Sequence, residues 1–186
     1  MPKDRPSQIE NRNFLAPVGF KFNLQRSPGT AYFCNQANIP DITLGVTEQP
    51  SYLRQIPTPG DVLDFGDLNI RFLVDEDLEN YMEIQKWIRG LGYPDSVQEF
   101  RDLDAGGQIP KTNYGQKQQD IYSDGTLQIQ SSNYIAKFNV NFSDLWPYSL
   151  TTLNFDATDT DIEYFTADVG FKYTMYTITD TANNAL

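Results

Sequence analysis

No histidine occurs among the 186 residues. That removes the commonest general base, the usual zinc ligand and the base of a serine or cysteine triad. Cysteine is nearly missing as well. Cys34 stands alone, which excludes an internal disulfide and a cysteine-rich zinc site, and folding in a reducing cytoplasm is expected. No stretch approaches the roughly 18 apolar residues of a membrane span, and the opening MPKDRPSQIE carries no apolar core of a secretion signal. Cations are scarce: 14 Lys and Arg against 25 Asp and Glu give a net charge of −11. That total argues against a surface that grips phosphates. The imbalance deepens toward the end, with six acids and one cation, Lys172, from Leu150 onward. A solvated acidic face explains this, and so does a surface that must not hold nucleic acid.

Aromatic residues are plentiful, with 12 Phe, 11 Tyr and 2 Trp; each can bury about 150–250 Å². A single domain over residues 14–180 is expected, between a polar arm (1–13) and a short tail (181–186). Strand signals dominate it. VGFKFNL (18–24) alternates and stops at Ser27-Pro28-Gly29, and TAYFCNQ (30–36) follows, so the two predict a hairpin. SYLRQIP (51–57) predicts a strand closed by Pro57 and Pro59. Leu68, Ile70 and Phe72 alternate with polar residues and predict another. Further strands are expected over 120–132, 133–142, 148–156 and 164–178, the last with Ala167, Val169, Phe171, Tyr173 and Met175 on one face.

A single helix is predicted over about 77–91. Leu78, Tyr81, Met82, Ile84, Trp87, Ile88 and Leu91 form its apolar stripe, Asp75 or Asp77 its N-cap, and Gly90 and Gly92 its end. Residues 93–120 are polar and lack either period, an excursion unusual inside a compact domain. Leu145-Trp146-Pro147 interrupts a regular alternation. Proline has no N–H for a ladder, so the chain is expected to turn a corner there. Leu145, Trp146 and Pro147, with Trp87 from the helix, would plug the core. Seven or eight strands and one helix predict a mainly β protein, a β-sandwich or barrel with the helix packed on it.

Chemistry finds little to work with. Asp159, Asp161 and Glu163 alternate as calcium-loop ligands do, but the central Gly and distal Glu are missing, and a polar hairpin loop explains the run. No phosphate loop, nucleophile elbow or metalloprotease helix is present. No acid pair stands out for a carboxylate glycosidase. Tyr32, Phe33, Tyr52 and Tyr122 fit a sugar-binding face, a core or an interface equally well. No catalytic residue, metal or cofactor is therefore expected.

Taken in order, the elements resemble the tail tube protein family of contractile-tailed, T4-like bacteriophages. NFLAPVGFKFNL enters the first strand, and Cys34 is followed by Ile39-Pro40. Gly60-Asp61 and Phe65 lead into a strand ending at Val74-Asp75-Glu76, and a helix with Trp87 follows. Leu145-Trp146-Pro147 precedes Leu153 and Phe155, an acidic turn, and a last strand with GFKYTMY. The resemblance covers roughly residues 13–178, and the chain departs from it mainly in the long 93–120 excursion.

The resemblance implies a tail-tube architecture shared with type VI secretion needles. Six protomers would form a ring, and rings would stack into an inner tube through which genomic DNA passes at ejection. Implied partners are other copies, the tail sheath, and baseplate or tail-terminator proteins. The implied place is the virion tail, assembled in host cytoplasm, with no membrane. Phe14, Asp41, Thr43 and Gly45 are candidates for contacts between rings, and Asp168 for an acid facing the lumen. A baseplate tube initiator, a tube-completion protein or a type VI needle would share the architecture. A monomeric carbohydrate-binding β-sandwich is the reading from another class.

Overall fold

The computed structural model describes residues 15, 17–92, 94–96, 99, 121–155 and 164–184. Most of the 93–120 excursion, the 156–163 acidic run and the N-terminal arm lie outside them. In chain order the elements are β1 (Phe20–Leu24), α1 (Pro28–Tyr32), β2 (Cys34–Ala37), β3 (Ile42–Pro50), β4 (Gln55–Phe65), β5 (Leu68–Leu73), α2 (Glu79–Gly92), β6 (Ser123–Gln130), β7 (Ala136–Leu150), β8 (Thr166–Lys172) and β9 (Met175–Asp180). The mainly β expectation with a packed helix holds, and every strand pair is antiparallel.

Two four-stranded sheets share one long ribbon. The front sheet runs β1-β6-β7-β9, and the back sheet β7-β8-β5-β2. β7 crosses from one to the other: its first part pairs with β6 and β9, and its last residues pair with β8. The two sheets bury their inner faces against each other. Phe22, Leu24, Leu127, Val140 and Phe142 come from the front; Leu68, Ile70, Phe72, Val169 and Phe171 come from the back. Each such side chain contributes about 1.5–3 kcal/mol on leaving water. Alternation in β5 and β8 is the direct cause, since period-2 side chains place one apolar set on one face.

Helix α2 closes the open side of this core with Ile84 and Trp87, both essentially fully buried. Trp87 packs on Phe171, ring centroids 6.2 Å apart, and its Nε1–H donates to the Ile121 carbonyl at 3.0 Å. The stripe is narrower than the periodicity suggests, because Leu78 and Met82 face solvent. The capping expectation is corrected too. The helix begins at Glu79, after Leu78 with φ of 57°, and Asp75 instead accepts a hydrogen bond from the Glu76 N–H. Asp77 lies in the turn before the helix. Buried Asn80 organises this end: its Nδ2 donates to Leu73 O at 2.8 Å, and its Oδ1 accepts from Asp75 N–H at 3.2 Å.

Four other expectations change. The 18–36 hairpin does not form, because residues 28–32 make the short helix α1; β1 pairs with β6, and β2 with β5. The 51–57 strand is instead the turn and start of β4. The break at Leu145-Trp146-Pro147 is no gap but the point where β7 changes sheets. Beyond Leu145 it has a neighbour on one side only among the described residues, with a bulge between Pro147 and Ser149, so a residue without N–H is tolerated. Met175 leaves the Ala167 face because the break between β8 and β9 reverses the alternation.

The plug is therefore divided. Leu145 is fully buried and Pro147 is buried, whereas Trp146 is 36% exposed on the outer side of the back sheet. Bulge geometry, not side-chain size, decides which of the three turns inward. Trp146→Ala is accordingly expected to cost about 1 kcal/mol in a urea melt, well below the ~3–5 kcal/mol of a core aromatic truncation. A loss of the larger size would return Trp146 to the core.

Candidate assembly interface

Among the described residues, β3 and β4 pair with each other and with no other strand. Their register runs from Ile42↔Phe65 to Pro50↔Gln55, so the arm extends about 30 Å at ~3.4 Å per residue. Every residue of β3 is exposed. Apolar side chains nevertheless cover the arm: Ile42, Leu44, Val46, Leu53, Ile56, Val62 and Leu63 all face solvent, and Tyr52 at the turn is 100% exposed. A lone two-stranded hairpin is marginal in water, and a long apolar edge is a template for pairing with another chain. These features make the arm a candidate contact surface. Pro57 and Pro59 fit because each strand has a free edge.

Two glycines let the arm bend. The register shifts between Leu44 and Val46, where Gly45 meets Gly60. A Cβ on Gly60 would sit 2.7 Å from the Gly45 carbonyl oxygen. Asp41, Thr43 and Gly45 therefore all belong to the arm or its base: Asp41 O accepts from Gly66 N–H at 2.9 Å, and Thr43 is opposite Asp64. Phe14 lies outside the described residues.

The root of the arm is clamped by tyrosines. Tyr173 Oη donates to Gly66 O at 2.9 Å, and Tyr176 Oη donates to Pro40 O at 3.2 Å. Both ends of the hairpin are thus tied to the junction of β8 and β9. Phe65 packs against both tyrosines, with centroids 6.1 and 5.6 Å away, and both rings also touch Phe142. The sequence shows these aromatics but not their common purpose, since Pro40 is more than 130 residues from Tyr176.

Burial pushes the Tyr173 phenol up to about 12 from 10.0. A raised folded-state value means the neutral phenol stabilises the fold fully below pH 10. That contribution disappears as pH rises from 10 toward 12. Tyr173→Phe is expected to lose about 1 kcal/mol at neutral pH, one hydrogen bond's worth. The wild-type advantage should vanish across that window in urea melts at stepped pH. An advantage that persisted to pH 12 would show that Tyr173 ionises freely and does not clamp the arm.

The sheets also leave edges open. Among the described residues, β1 of the front sheet pairs only with β6, and β9 only with β7. The outer side of the back sheet carries paired charges. Arg71 holds Asp168 through Nε and Nη2 at 2.7 and 3.1 Å, which pushes the guanidinium further up. Asp67 binds Lys172 and accepts from Tyr148 Oη, contacts that hold its carboxyl below the usual value. Tyr148 lies across Gly170, where a Cβ would approach its ring to 2.8 Å. These pairs are exposed, and such bridges contribute little to stability. Asp168 is thus neutralised rather than a bare acid.

Of the four aromatics weighed for sugar binding, Tyr52 is at the arm's turn, Tyr122 precedes β6 and Phe33 follows α1. The side chain of Tyr32 is not described. Burial pushes the Cys34 thiol up to about 11, so it stays protonated at neutral pH.

Comparison with known proteins joins these features. No curated protein sequence matches the chain. Solved structures share its fold at low identity. The anti-feeding prophage tube-terminating cap is 15% identical with a TM-score of 0.61, over 94% of this chain and 96% of that one. The sheath–tube complex of the extracellular contractile injection system PVC is 15% identical with a TM-score of 0.55, over 91% and 94%. The sheath/tube terminator of PVC is 16% identical with a TM-score of 0.54, over 91% and 99%. A family model for phage tail tube proteins matches residues 11–179, nearly the whole sequence that builds the two sheets, the clamped arm and the open edges, and the chain belongs to the phage tail tube protein family.

Proposed function

We propose that this chain is the repeating subunit of a phage tail tube, forming hexameric rings that stack around a channel for DNA. The observation that carries the reading is the front sheet. Among the described residues it has four antiparallel strands, an even number, with β1 free at one edge and β9 at the other. An even count means that β9 of one copy meets β1 of the next antiparallel, so the alternation continues across the joint without a break. Six copies placed side by side close this sheet into one barrel and leave no edge. Ring stacking is a head-to-tail contact that does not close on itself and grows a filament. The arm, with Asp41, Thr43 and Gly45, reaches a neighbouring copy and hides its apolar side chains there. Sheath, baseplate and terminator proteins would contact the finished tube in the virion, after assembly in host cytoplasm.

Sedimentation and negative-stain imaging of the purified protein test this. Rings and hollow tubes are the expected result. Single rings that never stack would assign the chain to tube initiation or completion. A compact 21.2 kDa monomer at all concentrations would overturn the reading.

A further inference from the structure

The acidic composition suggests an acidic channel, but the register of the front sheet places different residues on its outer face. One row across that face reads Lys21, Gln128, Asn139, Thr179. The next reads Asn23, Thr126, Asn141, Thr177. The two rows contain one lysine and no carboxylate. Asp124 follows on the same face near the opposite end from Lys21, Lys137 precedes Asn139 on it beside a bulge, and Thr179 is only 7% exposed within the subunit. We infer that the wall met by the passing cargo is this outer face, and that it is a lattice of amides and hydroxyls with few charges of either sign rather than an acidic surface.

The inference rests on ring closure through β1 and β9. A sheet closed at those edges has two faces, and the apolar one is occupied by the back sheet and α2. Circumference grows with radius, so that bulk fits outside the ring, and the polar face turns to the channel. Asp168 then lies on the far side of the protomer, bound to Arg71. The excess acids are elsewhere, for example at Asp61 and Asp64 of the arm and Asp75–Asp77 before α2.

The lattice is also bonded to itself. Thr126 Oγ1 donates to Asn141 Oδ1 at 3.1 Å, Asn141 Nδ2 donates to Thr179 Oγ1 at 3.2 Å, and Gln128 Nε2 donates to Asn139 Oδ1 at 3.4 Å. Amides engaged sideways have fewer donors left for phosphates. With few cations there is little counterion release to trap a duplex, and with Asp124 at one end as the acid of this face little repulsion has to be overcome on entry. Such a wall is indifferent to the charge of what it passes.

The test uses a thiol as a local electrometer. Cys34→Ser removes the native thiol, and Asn139→Cys adds one on the wall, with Gln128→Cys as a second site should the first disturb folding. In assembled tubes, small cationic and small anionic thiol reagents should react in the same rate ratio as with a free thiol. That ratio should change by less than about twofold between low and high salt. A thiol maleimide on a large dextran should label dispersed subunits but not tubes. A cation preference above about tenfold at low salt would show an acidic wall and overturn the inference while leaving the ring intact. Equal dextran labelling of tubes and subunits would place this face outside and overturn it as well. Failure of the parent protein to form rings or tubes would remove the assembly reading, and this inference with it.

Discussion

Trp87→Ala is expected to lower stability by about 3–5 kcal/mol, a fall in Tm of roughly 6–20 °C for a chain of this size. Four losses combine. The ring is 2% exposed, so its transfer energy is forfeited almost whole. The cavity left behind is bounded by Phe171 on a strand paired on both sides, which cannot collapse inward. The Ile121 carbonyl loses its donor, and the Arg26 guanidinium, 5.0 Å above the ring, loses its platform. Trp87→Phe separates the parts: it keeps most of the packing and should cost about 1–3 kcal/mol, mainly the unpaired carbonyl. Urea melts read both. A change below ~1 kcal/mol for the alanine variant would mean that α2 does not close the core.

The second large effect falls on assembly. Val46→Asp with Val62→Asp should leave the dispersed subunit within about 0.5 kcal/mol of wild type, because both side chains are largely in water already. Tube formation should be lost. If each valine is buried against a neighbour, its share of contact energy is about 1.5–3 kcal/mol. Every copy in a ring carries the change, so the deficit multiplies around it. Imaging beside a melting curve separates the two readouts. Normal tubes from the double variant would show that the arm's apolar surface is not the contact, whatever the ring does.

Legibility followed burial. β5 and β8 could be read because one face is buried and the other wet, so sequence alternation has a cause. α2 was visible for the same reason at a helical period. The arm gave no such signal. Both of its faces are exposed within the subunit, its apolar residues do not alternate cleanly, and Pro50, Pro57 and Pro59 look like stops unless the strands are known to have free edges. Pro147 misled in the same way. α1 spans five residues, too few to show a period, and Thr30-Ala31-Tyr32 suits a strand equally well. Asn80 carries no signal of its role, because nothing in sequence marks a polar residue whose partners are backbone groups. Asp168 illustrates a further limit: alternation correctly sends it outward, but which of two outward faces it occupies depends on pairing with β5, 97 residues away.

The pairing of distant segments has a consequence for the order of events during synthesis. β1 waits for β6, about a hundred residues downstream, and β5 waits as long for β8. Long separations of this kind make folding slow. β9, the strand that offers one of the two joining edges, emerges after every other strand. A half-made chain on the ribosome therefore has no finished margin to offer its neighbours, and polymer growth is reserved for molecules whose interior is already closed.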